Sequence, residues 1–132
     1  MTEPRAVVER LVETLNDHDL AAGRALYAPG ARLVAATGRV MDLDGLDTLL
    51  GASLQAFPDL RIRIERWAVD GDTVMTEEVM EGTHNGPFAG LPPTGRRVHL
   101  PMVHVTRVTS GHIVERIAYH DTAGILRQLG DP

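Results

Sequence analysis

Leu60-Arg61-Ile62-Arg63-Ile64-Glu65-Arg66-Trp67-Ala68-Val69, followed by Asp70-Gly71-Asp72, is the stretch at which the chain changes its period. Apolar Leu60, Ile62 and Ile64 alternate with Arg61, Arg63 and Glu65, and the run continues through Trp67 and Val69. That is the two-residue repeat of a strand with one buried face. Asp70-Gly71-Asp72 supplies a hairpin turn, so Thr73–Thr83 reads as the partner strand. A loop rich in Gly and Pro, Asn85–Gly95, leads into a third strand, Arg97–Val108. Ser110-Gly111 then turns the chain into a last strand, Ile113–Asp121.

Ahead of Leu60 the repeat is helical. Val7, Val8, Leu11, Val12 and Leu15 form one apolar stripe and predict a helix over Pro4–Asn16, with Thr2 or Glu3 ahead of the proline at its first turn. Asn16-Asp17-His18-Asp19 is a polar break in which Asp17 or Asp19 caps a second helix over about Leu20–Tyr27, ended by Pro29-Gly30. Ala31–Ala36 and Arg39–Met41 form a small hairpin folded at Thr37-Gly38. Asp42 or Asp44 caps a third helix that carries Leu46, Leu49, Leu50, Leu54 and Phe57 and is stopped by Pro58. Ile125, Leu126 and Leu129 mark a short closing helix. Helices first and antiparallel strands after predict an α+β fold, one domain over residues 1–132, with helices packed on one face of a curved sheet.

Composition narrows the chemistry. With 43% hydrophobic and 23% charged residues the chain reads as an ordinary globular domain, and no apolar run approaches the ~18 residues of a membrane span. The opening Met1-Thr2-Glu3-Pro4-Arg5 lacks a secretory pattern, so a cytoplasmic home and no membrane partner are expected. No cysteine is present, which removes disulfides, thiolate metal sites and cysteine nucleophiles. A net charge of −5, from 13 basic and 18 acidic residues, lacks the footprint of a nucleic-acid binder. The six histidines show neither His-x-x-x-His nor clustered carboxylate spacing, so no metal is expected.

A series of short motifs runs through this framework: Phe57-Pro58-Asp59-Leu60, Asp70-Gly71-Asp72, Glu81-Gly82-Thr83-His84-Asn85-Gly86 and Gly90-Leu91-Pro92-Pro93-Thr94-Gly95-Arg96. It continues through Ser110-Gly111-His112-Ile113-Val114-Glu115 and closes on His120-Asp121 with Gly124-Ile125-Leu126-Arg127-Gln128-Leu129-Gly130. In order and spacing the series resembles the SnoaL-like polyketide cyclases of the NTF2-like superfamily. The resemblance implies an α+β cone, a bent sheet around the N-terminal helices with a deep pocket at its wide end. It also implies an intramolecular aldol ring closure without metal or cofactor, in which an aspartate near the end of the last strand exchanges the proton. Asp121 stands at the matching position, and His104 on the neighbouring strand matches a histidine that hydrogen-bonds a substrate carbonyl. The implied partner is an apolar small molecule.

Spacing on the last hairpin tests which residues could share that pocket. If Ser110-Gly111 is a two-residue turn, Thr106 opposes Glu115, His104 opposes Ile117, Met102 opposes Tyr119 and Leu100 opposes Asp121. This set is expected to face the cavity, with Val103, Val105, Arg116, Ala118 and His120 pointing out. His104 and Asp121 would stand ~13 Å apart along the strands and grip opposite ends of a substrate. Tyr119 would donate to a developing enolate oxygen or form an aromatic wall, and His84 would line the mouth. Pro101 cannot donate to a ladder, so a bulge there would bring His99 beside Asp121.

Plainer roles compete at each position. Asp121-Thr122-Ala123-Gly124 is also a strand-to-helix junction where an Asp caps the helix, and capping lowers its pKa whereas an apolar pocket raises it. His104 and Tyr119 read equally as core residues, His84 as a turn residue facing water, and His120 as a surface residue. An isomerase or epoxide hydrolase, or a non-catalytic binding module, can occupy the same fold. The hydrolase requires two carboxylates bridged by an Arg, for which the expected inward set offers only Glu115 besides Asp121. The outward apolar row predicts a homodimer.

Overall fold

The computed structural model of the chain describes residues 3–130. In order the elements are α1 (Pro4–Asn16), α2 (Leu20–Arg24), β1 (Tyr27–Val34), β2 (Val40–Met41), α3 (Leu43–Ala56), β3 (Arg61–Asp70), β4 (Thr73–Thr83), β5 (Arg97–Thr109), β6 (His112–His120) and α4 (Thr122–Gln128). The strands form one six-stranded sheet in the order β2-β1-β6-β5-β4-β3. Glu3 occupies the N-cap position of α1, and Thr2 lies outside the described residues. Asp19 and Asp42 cap α2 and α3 by accepting from the backbone N–H groups of Ala22 and Gly45. These are the caps the polar breaks predict, because each leaves an otherwise orphan donor satisfied.

Two expectations about the first half need correction. The second helix stops at Arg24, and Tyr27 instead opens β1, with Ile113 donating its N–H to the Leu26 carbonyl at 2.9 Å. Pro29-Gly30 therefore lies inside β1, where the pairing with β6 shifts register between Tyr27 and Arg32. That pairing is also parallel, so the sheet is mixed rather than wholly antiparallel.

The register of the last hairpin is the third correction, and it matters most. Next to the turn, Thr109 pairs with His112 and Val108 with Ile113, but from there Arg107 pairs with Glu115, His104 with Ala118, Val103 with Tyr119 and Met102 with His120. Val114 is an extra residue, a bulge that shifts every later pair by one. Because strand side chains alternate, this slip turns the far part of β6 over. Arg116, Ala118 and His120 share the inner face with His104 and Met102, while Ile117 and Tyr119 point outward. Pro101 causes no break: β4 pairs with β5 continuously from Thr73↔Arg107 to Thr83↔Arg97, and β6 ends its pairing at Met102.

The inner face divides the core into two apolar clusters. One gathers Val7, Leu11, Tyr27, Leu33, Val108 and Ile113, and the other Phe57, Met80, Val98, Leu100, Ile125 and Leu129. Between them, in the middle of β4, β5 and β6, runs a belt of polar side chains.

Candidate active site

The belt is three rows deep across the sheet. Thr106 lies beside Arg116, His104 lies between Thr76 and Ala118, and Met102 lies between Glu78 and His120. Glu78 and Thr106 are fully buried, Thr76 nearly so, and Arg116 is 7% exposed. A carboxylate taken out of water without partners is prohibitively costly, so the packing around Glu78 must answer for its charge. It does so on one oxygen. Oε2 accepts from the Thr76 hydroxyl, lies 2.9 Å from His104 Nδ1 and 3.7 Å from the Arg116 guanidinium. Arg116 is held in turn by donating to Thr106 Oγ1 at 2.7 Å. Glu78 Oε1 is buried and has no partner among the described residues.

These contacts set the protonation states. Burial pushes the Glu78 carboxyl up, but the hydrogen bonds from His104 and Thr76 and the charge on Arg116 outweigh it and hold the group at about 2. Burial and the neighbouring Arg116 charge pull His104 below its ordinary value, against the opposing pull of Glu78. At neutral pH the pair is therefore a carboxylate and a neutral imidazole. Since a carboxylate can only accept, the imidazole proton sits on Nδ1, leaving the Nε2 lone pair as a base. The His104 side chain is 14% exposed, so this base is shielded without being sealed off.

Asp121 has a different setting. Its side chain is 62% exposed, it caps α4 by accepting from Gly124 N–H at 2.9 Å, and it lies 3.2 Å from Arg127. With Leu100, Pro101, Gly124, Arg127 and Gln128 it lines an open concavity of about 430 Å³ at the rim. Asp121 and Leu100 line this concavity together, but not as the opposed pair that a two-residue turn predicts, because the pairing of β6 ends at Met102 and His120 in a register shifted by one.

The remaining candidates divide the same way. Met102 and Leu100 face inward, the latter 4% exposed. Ile117 pairs with Val105 on the outer face, and Tyr119 is 56% exposed there. His99 is exposed on the outer face, 3.4 Å from Glu81, with its backbone N–H and C=O bonded to the Gln128 amide. His84 is fully buried rather than facing water. Its Nδ1 accepts from the Thr94 N–H at 3.2 Å, and its ring packs beside Phe57 and Phe88. Gly86 lets this loop close on α3, since a Cβ there would lie 2.0 Å from the Gln55 carbonyl oxygen.

Sequence reasoning passed over Glu78, Arg116 and His120. Glu78 did carry a signal: in Val74, Thr76, Glu78 and Met80 it is the one charge on the apolar parity of its strand. Arg116 and His120 carried none, because their face depends on the bulge.

The chain belongs to the SnoaL-like polyketide cyclase family, which it matches over residues 5–129. It is 41% identical over 71 residues to nogalonic acid methyl ester cyclase of Streptomyces nogalater, a match covering 54% of this chain and 51% of that protein. It is 35% identical over 63 residues to aklanonic acid methyl ester cyclase DnrD of Streptomyces peucetius, covering 48% and 43%. The matched parts thus span about half the length of these relatives. Among solved structures, IdmH of Streptomyces antibioticus superposes with a TM-score of 0.89 at 32% identity, covering 98% of this chain and 100% of that one. AclR of Streptomyces galilaeus, described as a candidate hydroxylase, gives a TM-score of 0.89 at 26% identity over 96% and 80%. The curved sheet with its helices is accordingly the SnoaL and NTF2-like fold.

Proposed function

We propose that this protein is a cofactor-independent cyclase that closes a ring in an apolar polyketide by intramolecular aldol chemistry, with His104 as the proton carrier. The observation that carries the reading is the inward-facing, neutral His104 held through Nδ1 by the buried Glu78 carboxylate at 2.9 Å. A positioned imidazole with a free ring nitrogen is a general base, and the carboxylate behind it fixes its orientation and stabilises the imidazolium formed in the reaction. In the proposed step Nε2 takes a proton from the carbon next to a carbonyl, and the C–H pair becomes an enolate. The enolate carbon then attacks a second carbonyl of the same molecule, and the new alkoxide recovers the proton from His104.

The names of the relatives, cyclases of nogalonic and aklanonic acid methyl esters, support a polyketide methyl ester as substrate. In this reading Asp121 is not the proton carrier but a rim residue that caps α4. An epoxide hydrolase is less well supported, because among the described residues the inner faces of β4, β5 and β6 carry no carboxylate besides Glu78. We further propose a cytoplasmic homodimer formed through the outer face, where Met75, Val103 and Tyr119 are exposed; Ala118, expected in that row, faces inward. Sedimentation at micromolar concentration checks the dimer.

Turnover of aklanonic and nogalonic acid methyl esters tests the assignment. His104→Ala should lower kcat by about 10²–10⁴-fold, the usual contribution of a positioned acid/base group, while Asp121→Asn keeps it within about tenfold. The reverse order would return the proton transfer to Asp121.

A further inference from the structure

We infer that His120 is a second imidazole of this site and binds the enolate oxygen of the substrate. The inference rests on the His104 reading, but its readout does not require turnover.

Three observations place His120 there. The bulge at Val114 turns it onto the inner face, beside Met102 and one row from His104. Between Arg116 and His120 along β6, and directly across from His104, stands Ala118, the smallest side chain of the belt. His120 Nδ1 is buried and has no partner among the described residues, so the ring holds an unmet hydrogen-bonding group in a place water reaches poorly. Diagonal neighbours on one sheet face stand ~7–8 Å apart, their Cβ atoms somewhat closer. His104 and His120 are such a pair, and in the proposed arrangement one ring meets the C–H and the other the adjacent carbonyl oxygen.

As the C–H bond breaks, its electron pair moves into the C=C bond and the carbonyl pair moves onto oxygen. A hydrogen bond from His120 in a site of low dielectric is strongest at that moment. The titratable and charged groups facing this pair are Glu78 from β4, Arg116 from β6 and Tyr27 from β1, with Asp121 next to His120 in the chain.

The probe is 2-hydroxy-1,4-naphthoquinone, a coloured acidic enol that is an anion at neutral pH, titrated against the full chain by absorbance. The wild-type protein should bind it. His120→Ala should weaken binding by about tenfold or more, as expected for loss of a charge-assisted hydrogen bond. His120→Asn, whose amide sits near the position of Nδ1, should recover most of the affinity, and His104→Ala should weaken binding less than His120→Ala does. A 15N-imidazole spectrum should show the His120 Nδ1 resonance moving on binding. Wild-type protein that does not bind, equal affinity in wild type and His120→Ala, or equal losses in the Ala and Asn variants would overturn the proposal. Loss of cyclase turnover in His104→Ala alongside unchanged probe binding in His120→Ala would overturn this inference and leave the function standing. The opposite pattern would do the reverse.

Discussion

Two carboxylates, Glu78 in the middle of β4 and Asp121 just past the end of β6, have opposite surroundings. Asp121 meets water, caps the short helix α4 and lies 3.2 Å from Arg127. Glu78 meets no water; its charge is kept by His104, Thr76 and Arg116, and it returns the favour by orienting the imidazole. Proximity to the end of the last strand thus does not by itself separate a buried, paired acid from an exposed cap. A buried ion pair is also a weak stability device, since apolar side chains of similar volume often serve as well or better. Its presence together with an unpartnered oxygen fits a site better than a strut.

The widest contrast lies in activity, where His104→Ala and Asp121→Asn should differ by at least tenfold in kcat. Stability gives the next. Glu78→Ala leaves Arg116 buried beside nothing of opposite charge and should cost ~3–5 kcal/mol in denaturant unfolding. Asp121→Ala removes only a cap and an exposed ion pair and should cost ~1 kcal/mol. Equal losses would erase the distinction between the two acids.

Acid titration sharpens the same contrast. The Glu78 carboxyl lies at about 2 in the fold against an ordinary 4.5, so its contribution is complete above pH 4.5 and is lost as pH falls toward 2. His104 and His120 lie below their ordinary 6.5 in the fold, so the unfolded chain binds protons first and stability also falls as pH drops below 6.5. Unfolding free energy should therefore decline in two stages on acidification. Glu78→Gln should shrink the lower stage, to which Asp59 and Glu81 also contribute, and keep the upper one. The smallest effect is expected at Gly124, where a Cβ would lie 2.6 Å from Asp121 Oδ2: Gly124→Ala should disturb the cap by ~1 kcal/mol without altering His104.

Much of this molecule was legible in local pattern. The switch of period at Leu60 separates helices from sheet, Asp19 and Asp42 announce their helices, and the alternation of Leu100, Met102, His104 and Thr106 puts each on the inner face of β5. Local alternation, however, specifies two faces without saying which residues oppose one another. The single extra residue at Val114 decides that question for β6, sending Tyr119 out and bringing Arg116, Ala118 and His120 in. Tyr27 was lost to the second helix for a similar reason, because its place in β1 depends on pairing with Ile113, 86 positions later in the numbering. The sequence alone therefore determined the elements, the family and the inward histidine, since periodicity and motif spacing are properties of neighbouring residues. Only the tertiary structure brought Glu78 on β4 against His104 on β5 and Arg116 on β6, because strand register is set by backbone pairing across the sheet, where one bulge inverts a face.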